Sequence, residues 1–140
     1  GPLADLRPGS GVLALAAAAL WRVRAVGVEL DPWAARVAAE NARMNRLHRL
    51  ADLVPGNAWR ARAIRRRAPY ALAFANIFAR PLCAMATTTA RNLRHGGRAV
   101  LSGFHPAQAR MVEVAHRRAG MVLERRLVVN GWATLVLRRP

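Results

Sequence analysis

The segment from Asp5 to Gly11 joins a carboxylate to a turn with two glycines, and a run of alanines follows it. Glycine at position 9 or 11 permits positive φ and allows a ligand to approach the backbone closely. The helix predicted to begin near Gly11 presents free N–H groups and the positive end of its dipole. This turn therefore favours a ligand that carries a phosphate or a carboxylate.

A second carboxylate, Glu29, closes the next apolar segment of the chain. At the end of a strand, a carboxylate can accept two hydrogen bonds from the hydroxyls of a ribose. The dinucleotide-binding fingerprint has a third glycine after the second one, at the position where this chain has Ala14. Alanine is tolerated there, so the turn alone leaves open whether the ligand is a nucleoside or a dinucleotide.

Apolar, β-branched segments alternate with helical segments along the chain, which predicts a parallel α/β sheet. Strands are predicted over Leu3–Leu6, Val23–Leu30, Leu50–Val54, Tyr70–Ile77 and Arg98–Phe104, and helices over Gly11–Trp21, Pro32–Arg46, Pro81–Leu93 and Pro106–Ala119. A turn is predicted at Gly96-Gly97. The Asn130-Gly131 pair between two apolar runs predicts a closing β-hairpin, which adds antiparallel pairing at one edge.

Polar residues follow the predicted strands at the points where the strands end. Asp5 to Gly11 follows the first strand, Glu29 ends the second, Asn57 follows the third and Asn76 ends the fourth. Ligands of open α/β sheets bind at the carboxyl ends of the strands, where the strand order reverses. The sequence therefore predicts that these residues form one site.

The composition indicates one folding unit with an extreme positive charge. The chain has 140 residues, 54% of them hydrophobic, and a formal net charge of +16 that comes from 23 arginines and no lysine. Such a charge attracts polyanions such as RNA, DNA or anionic membranes, but the absence of lysine and the abundance of alanine favour a coding bias towards alanine and arginine as its origin. A cluster at Arg60, Arg62 and 65–67 would contact phosphate groups near it.

Other residue types limit the class of protein. The single cysteine, Cys83, excludes an internal disulfide, and the four histidines lack the spacing of metal ligands. No apolar stretch is long enough to span a membrane, and the N-terminus shows no export signal. We therefore expect a cytoplasmic protein with no metal site and no membrane partner. Tryptophans 21, 33, 59 and 132 are predicted to pack in the core or at a sheet edge.

Five segments resemble a known family: "DLRPGSGVLALAAA", "AVGVELDPWAARVAAENARMN", "FANIFARPL", "GGRAVLSGF" and "WATLVLRR", in this order. They are similar to the class I S-adenosylmethionine-dependent methyltransferases, and among these to the PrmA type, which methylates large-ribosomal-subunit protein eleven. The resemblance implies a Rossmann-like sheet, mostly parallel, with an antiparallel C-terminal edge hairpin and helices on both faces. It also implies one methyltransferase domain over residues 1–140, without the family's N-terminal recognition domain.

The resemblance further implies S-adenosyl-L-methionine as the cofactor and an amine of a protein, such as a ribosomal protein, as the substrate. The glycine turn would hold the methionine part, Glu29 the ribose hydroxyls, and Asn57 with Ala58 the adenine edge, and Leu30 is also implied as a cofactor-binding residue. The residues implied at the turn are Asp5, Arg7, Gly9, Ser10 and Gly11.

Asn76 is implied as the catalytic residue beside the methyl group. Methyl transfer from a sulfonium depends mainly on positioning, and an Asn amide offers a donor and an acceptor that can orient an amine. The alternative is that Asn76 only caps the following helix.

Arg7 departs from the family, because it stands where the first glycine of the turn is usual. If that position requires positive φ, arginine costs about 1 kcal/mol and its side chain obstructs the cofactor. The same side chain can instead pair with the methionine carboxylate. Two functions therefore remain open: an active protein methyltransferase, or a degenerate, non-catalytic fold that acts as a basic RNA- or ribosome-associated module.

Overall fold

The computed structural model describes residues 1–140, which form a seven-stranded sheet in the order β3-β2-β1-β4-β5-β7-β6. The strands are β1 Leu3–Asp5, β2 Ala25–Glu29, β3 Ala51–Pro55, β4 Tyr70–Asn76, β5 Leu93–Phe104, β6 Val122–Val129 and β7 Trp132–Arg138. The helices are α1 Val12–Trp21, α2 Pro32–Met44, α3 Arg62–Arg65, α4 Ala79–Ala84, α5 Ala86–Asn92 and α6 Ala109–Arg118.

Strands β1 to β5 are parallel, and the strand order reverses between β1 and β4. Strand β7 is antiparallel to both of its neighbours, β5 and β6. Helices cover both faces of the sheet: α1 and α2 pack on one face, and α3 to α6 on the other. The predicted mostly parallel sheet with a C-terminal antiparallel hairpin is therefore confirmed. None of the helices combines the length and the apolar character that crossing a membrane requires.

Local chemistry explains two of the boundaries. Helix α2 begins after Asp31, whose Oδ1 accepts a hydrogen bond from the Trp33 N–H at 2.9 Å, and Pro32 takes the first helical position. The β6–β7 hairpin turns at Asn130 and Gly131, both at positive φ. Two successive residues with positive φ are typical of the type I′ turn, whose twist matches that of paired strands.

The segment around Gly96 differs from the prediction. The turn expected before the strand at Gly96-Gly97 is wrong, because both glycines lie within β5, which extends from Leu93 to Phe104. The pairing with β4 is irregular at this point, since Leu93 pairs with Tyr70 but Arg98 pairs with Leu72. The Gly96 N–H donates to the Arg139 carbonyl at 2.6 Å, and the Arg139 N–H donates to the Gly97 carbonyl at 2.8 Å. The C-terminal end of the chain thus holds these glycines in the sheet. The helix expected over Pro81–Leu93 is divided into α4 and α5 at Met85.

The tryptophans also depart from expectation. Trp59 is buried and its Nε1 donates to Thr89 Oγ1 at 2.9 Å. Trp21 and Trp33, however, are 57% and 69% exposed, so the prediction that they pack in the core is wrong. Helix α2 instead faces the sheet with small residues, Ala35, Ala38 and Ala42, which leave its larger side chains in solvent.

Candidate functional site

Glu29 joins the glycine turn to the end of β2. Its Oε1 accepts a hydrogen bond from the Gly9 N–H at 3.1 Å, and its Oε2 accepts one from the Asp31 N–H at 2.9 Å. The side chain is buried, with 4% of its surface exposed. One carboxylate therefore holds both the loop after β1 and the entry to α2. Sequence reasoning brought Gly9 and Glu29 to one site, and the structure places them in direct contact.

The two glycines of the turn both have positive φ, but the absence of a side chain has a different consequence at each. Gly11 has φ +89°, and a Cβ there would lie 2.9 Å from Leu53 Cδ1 and 3.3 Å from Ala38 Cβ. Its missing side chain therefore lets α1 begin close to β3 and α2. Gly9 has φ +58°, and a Cβ there would meet no atom within 4 Å. The turn at Gly9 thus faces open space, which is where a ligand can approach its backbone.

The end of β3 lies beside Glu29. The Gly56 N–H donates to the Glu29 carbonyl at 2.9 Å, and Asn57 follows as an exposed residue before a short 3-10 turn that begins at the buried Ala58. Leu30, 54% exposed, follows Glu29 on the neighbouring strand. Ser10 is exposed, and its carbonyl accepts a hydrogen bond from Asn41 Nδ2 at 2.9 Å. These residues form an open shelf along the carboxyl edge of β2 and β3.

Asn76 ends β4 opposite Ser102 of β5. Gly103, at φ +95°, leaves room for its amide, because a Cβ there would overlap Asn76 Oδ1 and lie 2.9 Å from the Ile77 nitrogen. Helix α4 has Phe78 as its N-cap residue and no side-chain capping hydrogen bond. The alternative that Asn76 caps this helix is therefore wrong, and its exposed side chain is free for another role.

Two cavities meet at Arg7, Asn76 and Ser102. One, of about 430 Å³, extends towards Phe78 and Trp132, and the other, of about 280 Å³, extends towards the first turn of α1. Trp132 stacks on His105, with ring centroids 4.8 Å apart. Gly9, Glu29 and Asn57 line neither cavity, so the shelf and the cavities are two parts connected by the loop after β1.

Sequence reasoning did not select Phe78, Ser102, Gly103 or Trp132 as site residues. Ser102 and Gly103 carried a signal, since they end a predicted strand, and the strand beside it in the sheet ends in Asn76. Phe78 and Trp132 carried none, because isolated aromatic residues are more often part of a core.

The backbone at Arg7 is unstrained, which corrects one expectation. Arg7 is not among the residues with positive φ; Gly9 and Gly11 take that conformation instead. Pro8 favours an extended conformation at the residue before it, and the Arg7 N–H donates to Asp5 Oδ1 at 3.2 Å. Only the exposed Arg7 side chain, which stands where the two cavities meet, can affect a ligand.

Asp5 is almost fully buried, with 2% of its surface exposed. Burial raises the pKa of its carboxyl to about 7; the Arg7 backbone N–H opposes this shift, and the nearby charge of Glu29 adds to it. The group can therefore exchange a proton near neutral pH while it lies beneath the turn.

Asp5 should make folding less stable as the pH rises. Because its folded pKa lies above its unfolded pKa, the folded protein binds more protons between about pH 4 and pH 7, and the free energy of unfolding falls across that interval. Asp5→Asn should remove this loss and stabilise the protein at pH 8 by at most about 4 kcal/mol. Urea unfolding at pH 5 and pH 8 measures the effect. The exposed carboxylate variant Glu40→Gln serves as control, and equal pH slopes in Asp5→Asn and the unmodified protein would contradict the shift.

Comparison with known proteins agrees with this geometry. A parallel sheet that reverses between β1 and β4, with an antiparallel β7, is the fold of the Rossmann-like methyltransferases. The chain belongs to the ribosomal protein L11 methyltransferase (PrmA) family, whose model matches residues 2–140.

Two relatives illustrate the similarity. The ribosomal protein L11 methyltransferase of Bradyrhizobium diazoefficiens is 39% identical over 135 residues, which cover 96% of this chain and 46% of that protein. That of a Caulobacter species (strain K31) is 40% identical over 136 residues, which cover 97% and 46%. The chain thus spans about half the length of the curated relatives it matches.

Solved structures share the fold at lower identity. The ribosomal protein L11 methylase of Lactobacillus delbrueckii subsp. bulgaricus superposes with a TM-score of 0.83 at 23% identity, over 99% of this chain and 69% of that one. An RNA methyltransferase from Salinibacter ruber, solved with S-adenosyl-L-homocysteine, has a TM-score of 0.78 at 19% identity, over 99% and 80%.

Proposed function

We propose that this chain is the methyl-transferring part of an S-adenosyl-L-methionine-dependent protein methyltransferase that modifies an amine of a ribosomal protein. The observation that carries the proposal is the Gly9–Glu29 hydrogen bond, which joins the glycine turn to the end of β2. Arg7, in the same loop as Gly9, lines the cavity that Asn76 also lines. The relatives are ribosomal protein L11 methyltransferases, which supports a ribosomal protein as the substrate. The domain boundaries 1–140 and a cytoplasmic location remain predictions.

The residues present fit the cofactor chemically. The open face at Gly9 would receive the methionine part, and Arg7 would pair with its carboxylate. Each oxygen of Glu29 accepts one backbone hydrogen bond and keeps acceptor capacity for a ribose hydroxyl. Asn57 and Leu30, on the shelf beside it, would border the adenine. When bound, the cofactor supplies an electrophilic methyl group on a positively charged sulfur.

The chain's own contribution to the reaction is positioning. Asn76 can donate a hydrogen bond and accept one, so its amide can fix the direction from which an amine approaches. Phe78 and Trp132 line the larger cavity beside it and can confine the apolar stem that carries the amine. Correct placement of the two reactants can supply a large part of the reduction in the activation free energy.

Calorimetric titration with S-adenosyl-L-methionine tests the site, and transfer of a labelled methyl group to purified ribosomal protein L11 tests the substrate. We expect saturable binding and incorporation of label into the ribosomal protein. No binding at about millimolar cofactor by folded protein would overturn the proposal at the site. Binding without incorporation would overturn the protein methyltransferase activity and leave a cofactor-binding module.

Arg7→Ala should weaken the binding of both S-adenosyl-L-methionine and S-adenosyl-L-homocysteine by about 10-fold, because a charge-assisted hydrogen bond contributes roughly 1.5–3 kcal/mol. The two ligands share the carboxylate but differ in the charge on sulfur, so calorimetry with both separates two effects. Pairing with the carboxylate predicts equal losses. Tighter binding by Arg7→Ala would instead show that the side chain obstructs the site or repels the sulfonium.

A further inference from the structure

Arginines are concentrated where the parallel strands begin, at the opposite end of the strands from the candidate site. Helices that follow parallel strands run back to the amino ends of the strands, and the connections there carry one arginine after another. We call six of them, near the starts of β2, β3 and β4, the amino-edge surface: Arg22, Arg24, Arg46, Arg49, Arg66 and Arg67.

Three arginines of this surface share one cavity. Arg24, Arg49 and Arg67 line one cavity of about 170 Å³, together with His48 and Asp52. Asp52 is the only carboxylate in that lining, and Arg67 Nη1 pairs with it at 2.9 Å. Arg24 and Arg49 are exposed and have no carboxylate within salt-bridge distance. The cavity therefore keeps uncompensated positive charge.

Backbone conformation gives a separate indication. Arg22, at the end of α1, has φ +52°, and Arg46, just beyond the end of α2, has φ +57°. Glycine or asparagine is usual in this left-handed region, and a long side chain there costs about 1 kcal/mol. The chain has glycine at other left-handed positions, including Gly9 and Gly120. Arginine at both helix ends thus costs stability. An excess of arginine in the composition alone does not explain why arginine stands at these two unfavourable positions.

Aromatic rings interleave with these arginines. Trp21, 57% exposed, directly precedes Arg22, and the exposed His48 directly precedes Arg49. Nucleic-acid-binding surfaces that lack sequence preference combine guanidinium groups on phosphates with aromatic rings on which unpaired bases stack. A concave, arginine-lined cavity favours a phosphate chain over a flat lipid surface.

We propose that the amino-edge surface binds single-stranded RNA, with its arginines on the phosphates and Trp21 stacked on a base. The bound strand would lie on the opposite edge of the sheet from Asn76 and Glu29, so it would leave the candidate methyl-transfer site open. This interaction does not depend on cofactor binding or on methyl transfer.

Fluorescence anisotropy with a labelled, mixed-sequence single-stranded RNA, measured over a range of salt concentrations, tests the proposal. The test variant is the triple substitution Arg24→Ala, Arg49→Ala and Arg66→Ala. The matched control removes the same charge near the other edge of the sheet through Arg36→Ala, Arg80→Ala and Arg110→Ala. Thermal unfolding of both variants verifies that they are folded.

We expect the test variant to lose at least about 10-fold in affinity and to reduce the salt slope by about 2, since each single-strand phosphate contact contributes roughly 0.7 to that slope. The control should change affinity by less than about 3-fold. Trp21→Ala should lower affinity about 5-fold or more with the salt slope unchanged, because stacking is not ionic.

Three results would overturn the proposal. Equal losses of RNA affinity in the two triple variants would show that binding depends only on the net charge of the protein. A wild-type protein that does not bind RNA at about 50 mM salt would exclude the interaction. Binding to vesicles of anionic lipid that exceeds binding to RNA, and that requires Trp21, would assign the surface to membranes instead.

Discussion

Glu29→Ala should lower the affinity for S-adenosyl-L-methionine at least about 100-fold. The substitution removes the acceptor for the ribose hydroxyls, and it also releases the Gly9 and Asp31 N–H groups that the carboxylate holds at 3.1 Å and 2.9 Å. Each hydrogen bond to a charged group contributes roughly 1.5–3 kcal/mol. Two such losses would therefore lower both the affinity and the free energy of unfolding. Calorimetry below the unfolding transition measures the affinity separately.

The neighbouring carboxylate Asp31 provides the matched control. Its Oδ1 caps α2 through the Trp33 N–H, so Asp31→Ala should cost about 1 kcal/mol of stability and leave the cofactor affinity within about 3-fold. The cofactor affinity of Glu29→Gln should lie between those of Glu29→Ala and Asp31→Ala, because its amide keeps one acceptor but turns an N–H₂ group towards a backbone donor. Cofactor binding by Glu29→Ala at nearly unchanged affinity would exclude Glu29 from the site.

The mostly parallel sheet with its C-terminal hairpin and the positions of the strand ends could be predicted because they follow from local patterns. Alternating apolar and helical segments placed Asp5, Glu29, Asn57 and Asn76 at one edge, and the sheet has them there. The hydrogen bond between Gly9 and Glu29 was beyond such reasoning. It depends on the direction of a loop between two elements, which no residue pattern encodes.

Arg7 shows why an alignment of motifs misjudges strain. The turn contains an arginine at the first glycine position, but the positive φ angles fall on Gly9 and Gly11 and not on Arg7, and a residue before proline favours the extended region. Gly96-Gly97 shows the converse error: a pair typical of a turn is drawn into β5 by hydrogen bonds with Arg139, more than forty residues away. Long-range pairing overrides local turn chemistry in such cases.

Asn76→Ala should reduce the rate of methyl transfer by about 100-fold and leave cofactor affinity within about 3-fold. Misplacement of a reacting group by about 1 Å costs a factor of this size. Asn76 lines both cavities, as do Arg7 and Ser102. Single-turnover rates with a labelled cofactor, compared with calorimetric affinities, separate the two quantities. Undiminished transfer by Asn76→Ala would show that the amide does not position the amine.

A pair of glycine variants tests the same amide without changing it. Gly103→Ala places a Cβ against Asn76 Oδ1 and the Ile77 backbone at φ +95°, whereas Gly120→Ala, at φ +92°, meets no atom within 4 Å. Both should lose about 1 kcal/mol of stability through the left-handed backbone, and Gly103→Ala should lose more than Gly120→Ala, because its Cβ also meets the Ile77 backbone. Only Gly103→Ala should also slow methyl transfer, by about 10-fold or more, because it displaces the Asn76 side chain. Equal transfer rates in the two variants would mean that the position of this amide is irrelevant to the reaction.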